Sequence, residues 1–201
     1  MKRQLSIFVF FLVVAPAQSA EGPFGVNWGE SKSALESKGI TLEASGGEGR
    51  ISSFKTKQLP KNLSIAEQYA LFIDNEYQLQ KIVMVSKDID EDLYGLKGKQ
   101  IFSDLKSKLA QKYGSPTNGL ERVGMALYKD ENEFYQCLGY EGCGMWVATY
   151  EDKKEGVSVL LELKGMKRGK GYIRITYEGP NWSKVIDTMR KNKSESDAGT
   201  L

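Results

Sequence analysis

Short polar turns separate the β-rich segments of this sequence, and their lengths constrain the fold more than any other feature. Residues 65–73 and 77–86 are β-rich runs that flank the three polar residues 74–76, and this pattern predicts a hairpin. Parallel pairing needs a crossover of about a dozen residues or more, which turns of this length do not provide. The sequence therefore predicts an α+β fold built mainly on an antiparallel sheet.

Further strands are predicted where an apolar or β-branched run is bounded by a glycine-bearing turn. These runs are residues 40–43, 50–57, 123–128, 144–151, 157–164 and 172–177, with turns at 46–49, 152–156 and 165–171. Together with the hairpin they predict a sheet of about eight strands. Most aromatic side chains between positions 128 and 150 are expected to pair across strands in the core.

Two or three amphipathic helices complete the predicted fold. The clearest one covers residues 98–113, where apolar side chains recur every three to four positions. That stripe consists of Ile101, Phe102, Leu105, Leu109 and Tyr113. A shorter helix is predicted at residues 32–38 behind the cap Ser31, and a last helix begins after residues 179–181 and ends near Asn192.

The order of these elements divides the chain into two similar halves. A helix followed by about four strands occurs in residues 21–97 and again in 98–192. This repetition suggests an internal duplication within a single α+β domain, residues 21–192. Residues 193–201 are polar and are predicted to form a flexible tail.

Two sequence motifs are similar to a pattern in uncharacterised secreted or periplasmic bacterial proteins. They are WGESKSAL at residues 28–35 and FSDLKSKLAQKYGSP at residues 102–116. The repeat of a helix and four strands resembles the architecture of the β-lactamase inhibitor protein and of the small outer-membrane assembly lipoproteins related to it. This resemblance implies a binding fold. The anchor cysteine of those lipoproteins is missing here, and no functional residue carries over.

The N-terminus has the three-part layout of a secretory signal peptide. Two basic residues precede an apolar stretch, residues 5–15, and the small residues that follow favour cleavage after Ser19 or Ala20. The apolar stretch of 11 residues is about half as long as a bilayer-spanning helix. Residues 1–20 are therefore predicted to be removed, which leaves a periplasmic or secreted protein without stable membrane insertion.

Composition argues against several kinds of function. The chain has no histidine, which removes Ser-His-Asp and Cys-His nucleophile activation and the commonest zinc ligand. Its 28 basic residues include Lys2 and Arg3, and without these two, 26 remain against 26 acidic residues. A net charge of zero provides no global attraction to nucleic acid, so no nucleic-acid partner is predicted.

The motifs predict no cofactor and no metal ion. Residues 88–92 alternate carboxylates as a calcium loop does, but Leu93 and Lys99 occupy the positions that need glycine and glutamate. Weak calcium binding through another geometry is the alternative to a solvated acidic turn, which places negative charge near the start of the following helix and explains this segment better. The glycines of residues 165–171 have neither the spacing nor the following helix of a phosphate-binding loop.

Cys137 and Cys143 are the two cysteines, and in an exported chain an even pair predicts a disulfide. Free thiols, or redox and ligand chemistry, are the alternatives, although a redox pair more typically has two intervening residues. A disulfide here would hold up Tyr140 and Glu141 in a short loop, and Trp146 belongs to the same aromatic-rich stretch. We select this loop as the candidate partner-binding surface.

A second candidate surface is the basic turn near residues 164–174. Its candidate binding residues are Lys167, Arg168 and Lys170, which could bind phosphate, an acidic glycan or an acidic partner surface. A solvated turn is the plainer interpretation of the same residues.

These features favour an exported, non-enzymatic binding or inhibitor-type protein whose partner is another envelope protein. One alternative is an envelope assembly or structural factor that contacts outer-membrane proteins or peptidoglycan. A second alternative is a hydrolase with two carboxylates roughly 5 to 10 Å apart in a cleft, one of them with a raised pKa. The carboxylates considered for that role are Glu131, Glu133, Glu141, Glu151 and Asp152.

Overall fold

The structure, a computed structural model, describes residues 20–199. Its helices are α1 (Lys32–Ser37), α2 (Leu96–Tyr113), α3 (Phe134–Gly139) and α4 (Trp182–Ala198). Its strands are β1 (Glu43–Glu48), β2 (Ile51–Thr56), β3 (Ala66–Asp74), β4 (Gln78–Ser86), β5 (Asn118–Arg122), β6 (Met145–Asp152), β7 (Val157–Lys167) and β8 (Lys170–Glu178). The predicted α+β class is confirmed.

The eight strands form one antiparallel sheet in the order β1-β2-β3-β4-β8-β7-β6-β5. Each half of the chain contributes four neighbouring strands, and the two sets meet where β4 pairs with β8. At this seam Lys81 lies opposite Glu178, and Val85 lies opposite Arg174. The sheet therefore has the predicted antiparallel pairing, with the two halves placed side by side.

The hydrophobic core lies on one face of the sheet, where α2 and α3 pack against β7 and α2 also reaches β6 and β8. Side chains alternate between faces along each strand, and the core face of β8 carries Ile173, Ile175 and Tyr177. In α2 the predicted stripe buries Phe102, Leu105 and Leu109, while Ile101 and Tyr113 pack at the margin of the same core. Leu35 of α1 is fully buried in it as well.

The opposite face of the sheet, which we call the open face, is half-exposed. Cross-strand ion pairs join Lys81 to Glu178 at 2.9 Å and Arg174 to Glu162 at 2.5 Å. Residues around these pairs line a depression of about 520 Å³. Trp182, at the start of α4, lies at one margin, with Nζ of Lys81 4.7 Å from its ring centroid. The charges on this face therefore largely neutralise one another.

Two predictions about strand positions were wrong. Residues 123–128 form a loop, because β5 ends at Arg122 and the backbone has positive φ at Gly124 and Tyr128. β1 covers most of the predicted glycine-rich turn, and a bulge between Ala44 and Gly46 accommodates the irregular backbone.

The aromatic pair Phe134 and Tyr135 lies on a helix and not, as expected of most aromatics here, on paired strands. A capping box between Asp130 and Glu133 starts a short helical turn that leads into α3. The hairpin between β7 and β8 is also tighter than predicted, since the two strands leave Arg168 and Gly169 as the turn.

The chain ends were predicted with different bounds. α4 continues to Ala198, past the predicted start of the tail 193–201, and an i,i+4 ion pair between Lys191 and Glu195 at 3.8 Å supports this extension.

The predicted signal peptide and cleavage site lie outside the described residues except for Ala20, whose carbonyl oxygen accepts a hydrogen bond from the Trp28 N–H at 3.0 Å. No helix within residues 20–199 is long and apolar enough to cross a bilayer.

Candidate functional site

The predicted disulfide joins Cys137 and Cys143, whose Cα atoms are 5.1 Å apart. Cys137 lies on α3, and the chain turns back through Tyr140 to reach Cys143. Within this turn the Tyr140 N–H donates to the Cys137 carbonyl, and the Cys143 N–H donates to the Tyr140 carbonyl, both at 3.1 Å. Both cysteines are fully buried, so the loop is fixed at its base.

The disulfide also anchors a second loop, residues 123–128. The N–H of Gly124 donates a hydrogen bond to Sγ of Cys137 at 3.1 Å. The N–H of Met125 donates to the carbonyl oxygen of Cys143 at 2.8 Å. Hydrogen bonds to the two linked cysteines thus hold this second loop, which is separate in the sequence, against the disulfide loop.

Exposed apolar side chains lie on the two loops at this disulfide and on the adjoining strands β5 and β6, and we call this surface the cystine patch. Its members are Leu120, Met125, Leu127, Tyr140 and Met145, which are between 39% and 51% exposed. The ring of Tyr140 meets the ring of Tyr128 edge to face, with centroids 6.0 Å apart. Single exposed apolar residues are ordinary on a protein surface, but a group on adjacent loops is typical of an interaction site.

Of the loop residues selected from the sequence, Glu141 is exposed beside Tyr140, whereas Trp146 is half-buried. The Trp146 ring packs edge to face on Phe134 at 5.3 Å, and Nζ of Lys99 lies 5.4 Å from its centroid. The indole of Trp146 is therefore engaged mainly in contacts within the protein.

The basic turn separates into exposed and engaged residues. Lys167 and Arg168 are exposed at the hairpin between β7 and β8. Lys170 instead forms ion pairs with Asp88 at 2.5 Å and Asp90 at 3.1 Å. Hydrogen bonds from Lys170 to Asp88 and Asp90 raise the pKa of its ammonium group.

A second exposed apolar group lies next to this hairpin, and we call it the tip patch. Its apolar members are Leu93, Tyr94, Leu96 and Met166, which are between 43% and 68% exposed. The Asp92 N–H donates to the Gly169 carbonyl at 3.0 Å, and a Cβ built on Gly169 would lie 3.2 Å from the Leu93 side chain. The loop before α2 is therefore packed on the hairpin turn. Together, the tip patch and the cystine patch contain the exposed large hydrophobic residues of the described chain.

Asp92 is a buried carboxylate that connects these elements. Its Oδ2 accepts hydrogen bonds from the N–H of Gly98 at 2.9 Å and from the hydroxyl of Tyr135 at 2.8 Å. Burial raises the pKa of this carboxyl, but the hydrogen bonds from Gly98, Tyr135, Lys97 and Leu96 outweigh it and hold the pKa below its ordinary value. Burial and the neighbouring carboxylate raise the pKa of Tyr135. The predicted negative charge at the start of the helix is present, but Asp92 is not solvated as expected.

Two glycines allow α3 to approach the sheet closely. A Cβ on Gly165 would lie 1.8 Å from the carbonyl oxygen of Tyr135, and one on Gly171 would lie 2.2 Å from the Tyr135 ring. Gly165 and Gly171 are paired across β7 and β8. A side chain at either position would push α3 and its disulfide away from the sheet.

The carboxylates considered for a hydrolase are spread along the structure. Glu141 is in the disulfide loop, whereas Glu151 and Asp152 are at the opposite end of β6, where they line a depression of about 280 Å³ that also includes Glu178. Asp152 accepts hydrogen bonds from the backbone N–H groups of the next turn, and Glu178 pairs with Lys81. Within residues 20–199 no group of three or more acidic or cysteine side chains is placed to hold a metal ion.

No family model, curated protein or solved structure matches the chain. The resemblance to the β-lactamase inhibitor protein and the assembly lipoproteins therefore stays a prediction.

Proposed function

We propose that this chain is an exported, non-enzymatic binding protein of the bacterial envelope, of the inhibitor type, and that its cystine patch binds another envelope protein. The observation that carries the proposal is the group of five exposed apolar side chains on β5, on the start of β6 and on two loops that are anchored by one disulfide and the hydrogen bonds to its cysteines. Export is supported by the signal-like N-terminus and by the disulfide, since disulfides persist in oxidising compartments.

The cystine patch has the composition of the central part of a protein interface. Tyr and Met are enriched in such interfaces, and Tyr is among the residues that most often dominate binding energy. Exposed charged residues flank the patch members in the sequence and would form a polar rim. They are Glu121, Arg122, Lys129, Asp130 and Glu141.

The disulfide favours binding because it fixes both loops before a partner arrives. Ordering a mobile side chain at an interface costs roughly 0.5 to 1.5 kcal/mol, and a loop that is already ordered avoids part of this cost. The hydrogen bonds of Gly124 and Met125 to the two cysteines extend the same restraint to the second loop.

Site-specific crosslinking followed by affinity measurement tests this proposal. A photoreactive residue at position 127 is expected to crosslink one envelope protein, which is then identified and purified. Tyr140→Ala and Leu127→Ser should each weaken the binding of that protein by about tenfold or more, the effect expected of interface hot spots. Tyr94→Ala in the tip patch is the matched control, since Tyr94 is exposed to a similar degree.

The outcomes separate the competing functions. Equal affinity of wild type and the two patch variants would reject the cystine patch as the binding surface. A crosslinked outer-membrane assembly protein would favour the assembly factor, and an enzyme inhibited on binding would favour the inhibitor. Turnover of envelope polymers by the purified protein, lost in Glu151→Gln, would replace the binding proposal with the hydrolase.

A further inference from the structure

The tip patch combines exposed apolar side chains with cations that have no acidic partner. Lys97, Lys167 and Arg168 form no ion pair with the residues that the structure describes, in contrast to Lys170 with its two aspartates. Nζ of Lys97 donates to the backbone carbonyl of Asp90 at 3.1 Å, which leaves its charge uncompensated. The exposed acidic residues of the same loop are Asp88, Asp90 and Glu91, of which Asp88 and Asp90 pair with Lys170.

Two apolar members of the tip patch are more exposed than any member of the cystine patch. Leu96 is 68% exposed and Met166 is 55% exposed. Leu96 is the first residue of α2, and Met166 lies one residue before the end of β7. Both therefore lie next to unpaired cations, Leu96 beside Lys97 and Met166 beside Lys167.

We propose that the tip patch docks the protein on the surface of an anionic phospholipid bilayer. Leu96, Met166 and the ring of Tyr94 would enter the boundary between headgroups and acyl chains, where apolar side chains and amphipathic aromatic rings are favoured. Lys97, Lys167 and Arg168 would lie among the phosphates. This inference rests on the proposed export, because an envelope protein meets such surfaces, but not on the protein partner of the cystine patch.

Charge complementarity is the reason to choose a bilayer as the occupant. Long, exposed lysine and arginine side chains are flexible, and a lipid surface accepts them in any arrangement, whereas a protein partner would need carboxylates at matching positions. The tip is rigid at its base, because the backbone of Ile89 exchanges two hydrogen bonds with Gly171 and Asp92 bonds to Gly169. A rigid base with exposed apolar and basic side chains is suited to shallow, reversible insertion.

Vesicle sedimentation with the exported protein tests the inference. Vesicles of phosphatidylethanolamine with phosphatidylglycerol should bind the wild type, vesicles of phosphatidylcholine should bind it at least about tenfold more weakly, and added salt should reduce binding. The variant K167Q/R168Q should lose about tenfold or more of its affinity for the anionic vesicles, since each cation near the surface contributes about fivefold. Leu96→Ser with Met166→Ser should lose at least about tenfold, because the inserted apolar side chains are removed.

Matched controls come from elsewhere on the same chain. K153Q/K154Q removes the same charge from the exposed turn between β6 and β7, at the opposite end of the sheet. Leu127→Ser with Met125→Ser removes two exposed apolar side chains from the cystine patch. Both controls should bind anionic vesicles within about twofold of wild type, and unchanged circular dichroism would show that every variant is folded.

Insertion itself is visible by fluorescence. Leu96→Trp should be quenched by brominated lipids in anionic vesicles, while Leu127→Trp should not. Three results would overturn the inference. They are an equal loss of vesicle affinity in K167Q/R168Q and K153Q/K154Q, unchanged vesicle binding of the tip variants, and absence of quenching at position 96. If the tip variants instead lose a protein partner, the tip patch is a protein-binding surface and the bilayer is not its occupant. Failure of the cystine-patch crosslinking with vesicle binding intact would reject the proposed partner surface and leave this inference standing.

Discussion

The hydroxyl of Tyr135 donates a 2.8 Å hydrogen bond to Oδ2 of Asp92, although 43 residues separate the two in the chain. Asp92 lies in the loop before α2, and its N–H donates to the carbonyl of Gly169 in the β7–β8 hairpin. Tyr135 lies on α3, the helix that carries Cys137. This single contact therefore connects the tip patch to the cystine patch through the protein interior.

Asp92→Asn is expected to lower the free energy of unfolding by roughly 2 to 3 kcal/mol. A charged acceptor of two hydrogen bonds is replaced by an amide that cannot satisfy both donors equally, and the site is buried. Tyr135→Phe should cost about 1 kcal/mol, because the other contacts of the ring remain. Urea unfolding of both single variants and the double variant measures the coupling, and strictly additive effects would contradict a direct interaction.

Acid should destabilise the protein partly through Asp92. Its pKa is lowered below the ordinary value of 3.8, so the unfolded chain binds the proton more readily than the folded chain does. The contribution of Asp92 to stability is therefore complete above pH 3.8 and is lost as pH falls through the lower folded-state pKa. The difference in free energy of unfolding between the wild type and Asp92→Asn should therefore decrease over this acidic range. Urea unfolding at successive pH values measures it. A difference that grows as the pH falls would contradict a lowered pKa of Asp92 in the folded protein.

Asp74 supplies a comparison for this acid dependence. Burial raises the pKa of this carboxyl, but the hydrogen bonds from Arg50 and from the N–H groups of Tyr77 and Glu76 outweigh burial, so the net direction matches that of Asp92. Asp74→Asn should show the same narrowing with acid. Asp74 lies at the end of β3, whereas Asp92 contacts α3 and the β7–β8 hairpin, so a double variant of Asp74 and Asp92 should behave additively.

Replacing Cys137 and Cys143 with serine is expected to lower the free energy of unfolding by about 2 to 3 kcal/mol, the value for closing so short a loop. The loops of the cystine patch should be affected more strongly than the rest of the fold. Hydrogen exchange at the Met125 N–H, which donates to the Cys143 carbonyl, should accelerate by an order of magnitude or more. The Gly29 N–H, which donates to Leu79 in the other half, is the control amide. Equal acceleration at both amides would indicate a global effect and reject the restraint on the second loop.

Gly165→Ala is expected to cost about 3 kcal/mol or more, because its Cβ would overlap the carbonyl oxygen of Tyr135. Gly199→Ala is the matched control, since its Cβ would lie 3.5 Å from the nearest atom at the exposed end of α4. Thermal unfolding should show a marked decrease for the first variant and little change for the second. A Gly165→Ala protein that melts like the wild type would contradict the close packing of α3 on β7.

Regular patterns in the sequence predicted the regular parts of the fold. The hairpin of β3 and β4, the strands β6 to β8 and the helix α2 were predicted because alternation or a period of 3.6 reports directly which side chains are buried. The disulfide was predictable from the number of cysteines and the expected compartment alone.

The elements that sequence reasoning missed depend on contacts between distant residues. Asp92 looks like any other member of an acidic run, and its burial depends on Tyr135 and Gly98. The exposure of the tip patch was equally unpredictable, because Leu93 and Leu96 are of a residue type that is usually buried in the core. A capping box at Asp130 and Glu133 was the local signal that could have revealed α3.

The seam between β4 and β8 also determines how the sheet meets other copies of the protein. These two strands are nine residues long, and in the absence of each other both would be long, unpaired edges. Their pairing leaves β1 and β5 as the outer strands, of six and five residues. β1 is interrupted by a bulge and glycines, and β5 ends in Glu121 and Arg122. Short, irregular and charged edges are poor templates for strand addition, so joining the halves at their long strands protects the protein against aggregation by edge-to-edge pairing.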